Sequence, residues 1–83
     1  MPLIFLFFGF RFTFFSNDHE PVHVHVIKGD AEAKYNVNPI ELVYNRGFKK
    51  QELALIETII ADNKEVIEER WRLYFSDNDN NNH

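Results

Sequence analysis

The stretch that most limits how this chain can fold runs from Pro21 to Val37. In Val22-His23-Val24-His25-Val26-Ile27, valines alternate with histidines. Strand side chains point to opposite faces with a period of two, so this pattern predicts a strand over 22–27 with the valines facing a core. Lys28-Gly29-Asp30-Ala31 reads as a two-residue hairpin turn centred on Gly29-Asp30, and 31–37 as the returning strand. A two-residue turn sets the register. Lys28 then faces Ala31, Ile27 faces Glu32, Val26 faces Ala33, His25 faces Lys34, Val24 faces Tyr35 and His23 faces Asn36. Opposed residues share a face. Val24, Val26, Ala33 and Tyr35 therefore make an apolar face, and His23, His25, Ile27, Glu32, Lys34 and Asn36 line the other.

Upstream, Leu3 to Phe8 and Phe10 to Phe15 are apolar runs around Gly9, which predicts a first hairpin. The first fifteen residues hold seven Phe and one charge, Arg11. They lack a basic leader and a small-residue cleavage site, and the run is too short to span a bilayer. The alternation of Phe10, Phe12 and Phe14 favours soluble core strands over a membrane-surface anchor. Ser16-Asn17-Asp18 is turn chemistry, and Pro21 holds His19-Glu20 extended.

Downstream, Asn38-Pro39 reads as a helix start, with Asn38 as N-cap and Pro39 in the first turn. That short helix would end near Asn45-Arg46-Gly47. Phe48 leads into a second helix, where Leu53, Ile56, Ile59 and Ile60 fall at helical spacing. Asp62-Asn63-Lys64-Glu65 resembles a capping box, marking either a break or a bend. Val66, Ile67, Trp71 and Tyr74 continue the stripe. The Asn/Asp-rich segment 77–83 is expected to be disordered, leaving one domain over 1–76. The expected architecture is α+β: an antiparallel sheet of about four strands (two N-terminal hairpins) with two or three C-terminal helices packed on one face.

Composition narrows the chemistry. With 83 residues and no cysteine, disulfide scaffolds and thiolate zinc sites are excluded, which fits a reducing cytoplasm. A net charge of −4 argues against gripping long nucleic acid by bulk charge but permits a local basic site. Three of the four histidines lie within residues 19–25, and histidine is both a near-neutral proton carrier and a common metal ligand.

Three readings compete for the polar face. One is a plain solvated sheet face. The second is a divalent-metal site, zinc for example, on His19, His23 and His25, with Glu20 or Glu32 adding a carboxylate. Lys34 opposite His25 opposes it, because a cation disfavours a cation. The third is a phosphodiester site that uses no cofactor. There Lys34 stabilises negative charge, and His23 and His25 act as general base and acid in metal-independent RNA cleavage. Arg11, Glu32 and Asn36 would contact the substrate.

Phe10-Arg11-Phe12, Phe14-Phe15-Ser16-Asn17-Asp18-His19 and Pro21-Val22-His23-Val24-His25-Val26 resemble the hallmark of a bacterial family catalogued as domain of unknown function 4160. Gly29-Asp30, Ala33-Lys34, Asn38-Pro39, Arg46-Gly47-Phe48, Glu52-Leu53 and Trp71 also match, so the resemblance covers about residues 2–75. It implies a gene arrangement like toxin–antitoxin pairs, and hence a toxin-like role or a small cognate protein as partner. The chain departs from the family in its more aromatic first strand, in Glu20, and in Lys49 where a serine cap is common. His19, His23, His25 and Lys34 are all retained.

Together these features lead to an expected cytoplasmic protein, not associated with a membrane, that binds a phosphate-bearing ligand such as RNA and acts as a toxin-like ribonuclease. The alternatives are the metal-binding protein and a non-enzymatic partner-binding module. The Phe-rich first strand also makes a homodimer an expectation, since exposed edges invite pairing.

Overall fold

The computed structural model describes residues 3–15 and 19–80. Five strands form one antiparallel sheet in chain order: β1 (Leu3–Phe7), β2 (Phe10–Thr13), β3 (His23–Lys28), β4 (Ala31–Val37) and β5 (Ile40–Arg46). Helices α1 (Lys50–Asp62) and α2 (Lys64–Asn80) follow. The turn expected at Ser16-Asn17-Asp18 lies outside the described residues. No helix among the described residues is long and apolar enough to cross a membrane.

The β3–β4 hairpin has the expected register, His23 opposite Asn36 through Lys28 opposite Ala31. The first hairpin also forms. Phe8 and Gly9 occupy its two turn positions, both at positive φ (52° and 81°), the geometry of a type I′ turn. β2 then pairs with β3, setting Phe12 against Val26 and Thr13 against His25.

The sheet has five strands rather than about four because the helix expected from Asn38 is instead β5. Asn38-Pro39 is a two-residue turn that places Ile40 opposite Val37. Asn-Pro serves equally as helix start and as turn. The outer edge of β4 needed a hydrogen-bonding neighbour, and Ile40, Val43 and Tyr44 are good strand formers. A bulge at Lys34/Tyr35 keeps Tyr44 opposite Lys34 and Leu42 opposite Tyr35. Gly47, expected to end that helix, ends the strand instead at φ 99°, where an added Cβ would meet that of Ala31 at 3.3 Å. The Asn45 amide holds the next corner by accepting from the Phe48 N–H and donating to its carbonyl.

The core lies between the valine face and the helices. Phe10, Phe12, Val24, Val26, Ala33 and Tyr35 pack with Ile56, Ile59, Ile60, Ile67 and Trp71. Glu52 accepts from the Lys49 N–H and closes the first turn of α1. The helical stretch breaks at Asn63, whose N–H and side-chain amide donate back to the end of α1. α2 then runs to Asn80, into the tail expected to be disordered from residue 77. Residues 81–83 lie outside the described residues.

Candidate functional site

The histidines are placed by β3 and by the segment before it. His23 opens β3 opposite Asn36, and His25 sits opposite Lys34 on one side and Thr13 on the other. Both are only 4% exposed, so the polar sheet face is not a solvated one at these positions. Two aromatics account for this. The Phe15 ring stacks on His25 at 3.7 Å between centroids and 13° between planes. Trp71 from α2 meets His23 edge to face at 5.1 Å. The two imidazoles themselves stand 5.3 Å apart at 80°.

Each histidine has a different partner. The Nδ1 of His23 lies 2.8 Å from the Pro21 carbonyl, which can only accept, so Nδ1 donates. That bond places the basic lone pair of the neutral ring on Nε2. His25 instead approaches Glu32, with Nδ1 3.6 Å from Oε2. The same Glu32 oxygen accepts from the Tyr44 hydroxyl, and the Arg46 guanidinium lies 5.0 Å from the Tyr44 ring centre. Across β3, β4 and β5 these contacts run from His25 through Glu32 and Tyr44 to Arg46, with Phe15 stacked on the His25 end.

An open cleft of about 400 Å³ lies beside this chain, lined by Phe15, His19, Glu20, Pro21, His23, Lys34 and Asn36. Its wall is held from the helical side, where the Trp71 Nε1 donates to Glu20 at 3.0 Å. The cleft is lined by a cation, an amide and two imidazoles, of which His19 is exposed and His23 is buried. The Trp71 bond engages Glu20, the one carboxylate among the described lining residues. Lys34 and Asn36 sit on one face of β4 at a spacing of two, so β4 presents both to the cleft.

The predicted site residues are therefore divided. His19, His23, Lys34 and Asn36 come together in the cleft. His25 lies under Phe15, and Glu32 is turned toward His25 and Tyr44. Arg11 is exposed opposite Ile27 and is not among the lining residues. Among the described residues, no three His, Asp or Glu side chains are grouped to hold a metal ion. Sequence reasoning missed Tyr44, because its segment read as a helix, and Phe15, whose role depends on the chain leaving β2 at Thr13. The signal for Phe15 was its adjacency to the histidine motif.

No curated protein and no solved structure gives a significant match to the chain. A family model does match, over residues 9–72, a span that takes in β2 through β5, α1, the cleft and Trp71. That family is described as a domain of unknown function (DUF4160), and the chain belongs to it.

Proposed function

We propose that the cleft binds a phosphate-bearing ligand, with RNA as the ligand class, and that the protein acts as a toxin-like, metal-independent ribonuclease. The observation that carries this reading is the convergence of Lys34, Asn36, His23 and His19 on one cleft of nucleotide size. Lys34 supplies the charge that attracts a phosphate, and Asn36 donates or accepts beside it.

The chemistry needs one proton acceptor and one donor. His23 takes the 2′-hydroxyl proton as the oxygen attacks phosphorus, a role that requires the ligand to uncover its buried Nε2. His19 gives a proton to the departing 5′-oxygen, leaving a 2′,3′-cyclic phosphate and a free 5′-hydroxyl. His19 replaces His25 in this scheme, since His19 lines the cleft and His25 lies under Phe15. Lys34 stabilises the charge developing on the phosphoryl oxygens. An RNA substrate places the activity in the cytoplasm, and the family's implied pairing with a small second protein suits an activity that must be restrained.

The test is a titration of the full chain with inorganic phosphate and then a short RNA, followed by histidine-resolved NMR. Shifts at His19 and His23 that vanish in Lys34→Ala are expected, with RNA cleavage lost in His23→Ala. No shift with either ligand refutes binding. Binding with cleavage that persists in His23→Ala refutes the catalytic assignment.

A further inference from the structure

We infer that Glu20 makes the cleft selective for guanine, its carboxylate accepting from the N1–H and N2–H groups of the base. This rests on the proposed phosphate-binding reading of the cleft and goes on to name the nucleobase.

The observation behind it is a carboxylate in a cleft that attracts phosphate. Glu20 lines the same cleft as Lys34 and Asn36. A carboxylate facing a bound phosphate repels it, so the two are compatible where the carboxylate meets a different part of the ligand. In a nucleotide that part is the base. The chain separates the two roles: Lys34 and Asn36 stand on β4, and Glu20 stands in the segment before β3. Phe15 and Pro21 add apolar surface to the cleft, which suits the faces of a flat ring.

Glu20 is also held in place. It is exposed, yet its Oε2 accepts from the Trp71 Nε1 at 3.0 Å. Trp71 itself is buried, packed on Phe14 and Phe75. An exposed carboxylate tied to a buried indole is fixed in orientation before a ligand arrives, which is what selective recognition requires. A carboxylate has about four lone-pair positions, and a single indole N–H leaves the others for a ligand.

An ionised carboxylate only accepts, so it selects a base edge that presents donors. Uracil offers one N–H between two carbonyls. Cytosine and adenine each set an amino group beside a ring nitrogen whose lone pair repels the second carboxylate oxygen. Guanine places N1–H and N2–H side by side, matching both oxygens. A bidentate pair of this kind separates the right base from the wrong one by roughly tenfold or more.

The experiment is calorimetric titration of the full chain with inorganic phosphate and with the 3′-monophosphates of guanosine, adenosine, cytidine and uridine, beside Glu20→Gln. Glutamine keeps a carbonyl that accepts from Trp71 but turns a donor toward the base. Wild type is expected to bind the guanosine nucleotide roughly tenfold tighter than the other three. In Glu20→Gln that preference should vanish, while inorganic phosphate binds at least as well as before, because a negative charge has left the cleft. Four nucleotides bound equally by the wild type, or a guanine preference that survives Glu20→Gln, overturn the inference and leave phosphate binding standing. A parallel loss of phosphate and all four nucleotides in Glu20→Gln marks a structural role and also overturns it. A wild type that binds neither phosphate nor any nucleotide refutes the phosphate reading and the inference together. If circular dichroism shows Glu20→Gln unfolded, the wild type with inosine 3′-monophosphate, which lacks the N2 amino group, decides instead: several-fold weaker binding than the guanosine nucleotide supports the inference, and equal binding overturns it.

Discussion

Replacing Tyr35 by phenylalanine tests how the sheet is tied to the first helix. Tyr35 lies in β4 between Lys34 and Asn36, fully buried on the opposite face, and its hydroxyl donates to Glu57 of α1 at 2.7 Å. A hydrogen bond to a charged group contributes about 1.5–3 kcal/mol. Glu57 is exposed and recovers water when the hydroxyl is removed, and phenylalanine fills the same space. The loss should therefore sit near the low end, about 1–2 kcal/mol, read as a lower urea midpoint at unchanged slope. The pH dependence gives an independent check. Burial, then the hydrogen bond and the charge of Glu57, push the Tyr35 pKa above its ordinary 10.0. A group whose pKa is raised by folding stabilises fully below its unfolded value and loses that contribution as pH climbs toward its folded one. Wild-type stability should then fall above pH 10.0 by up to about 1.4 kcal/mol per pH unit more than that of Tyr35→Phe. Equal stability at neutral pH together with parallel alkaline curves would refute the tie.

Two further outcomes follow from the geometry. Trp71→Phe keeps most of the ring packed on Phe14 and His23 but removes the Nε1 bond to Glu20, so a stability loss of about 1 kcal/mol and several-fold weaker phosphate binding are expected by calorimetry. Gly47→Ala asks a side chain to adopt φ 99° with its Cβ 3.3 Å from that of Ala31, so the melting temperature should fall by the equivalent of about 1–3 kcal/mol.

The β3–β4 hairpin was legible because each local signal agreed with the others. The valine–histidine alternation, the Gly29-Asp30 turn and the period of two admit one register, and the structure has it. The C-terminal helices were legible for the same reason, from the spacing of Ile56, Ile59, Ile60, Ile67 and Trp71. At Asn38-Pro39 the local signals were degenerate. An N-cap followed by proline and a turn followed by a strand share the same residues, and the unfilled edge of β4 decided between them.

The candidate site divides in the same way. His23, Lys34 and Asn36 could be placed on one face from the sequence alone, because strand periodicity is a property of the backbone itself. Whether a residue on that face meets solvent is not. His25 lies covered because Phe15 folds over it once the chain leaves β2, and Tyr44 joins Glu32 because β5 completes the sheet. By itself the sequence determined the β1–β2 and β3–β4 hairpins, the helical stripes and the face each residue of β3 and β4 occupies, since these follow from turn chemistry and local repeat. Tertiary structure alone decided which members of the histidine cluster line the cleft, because burial depends on contacts between segments far apart in the chain.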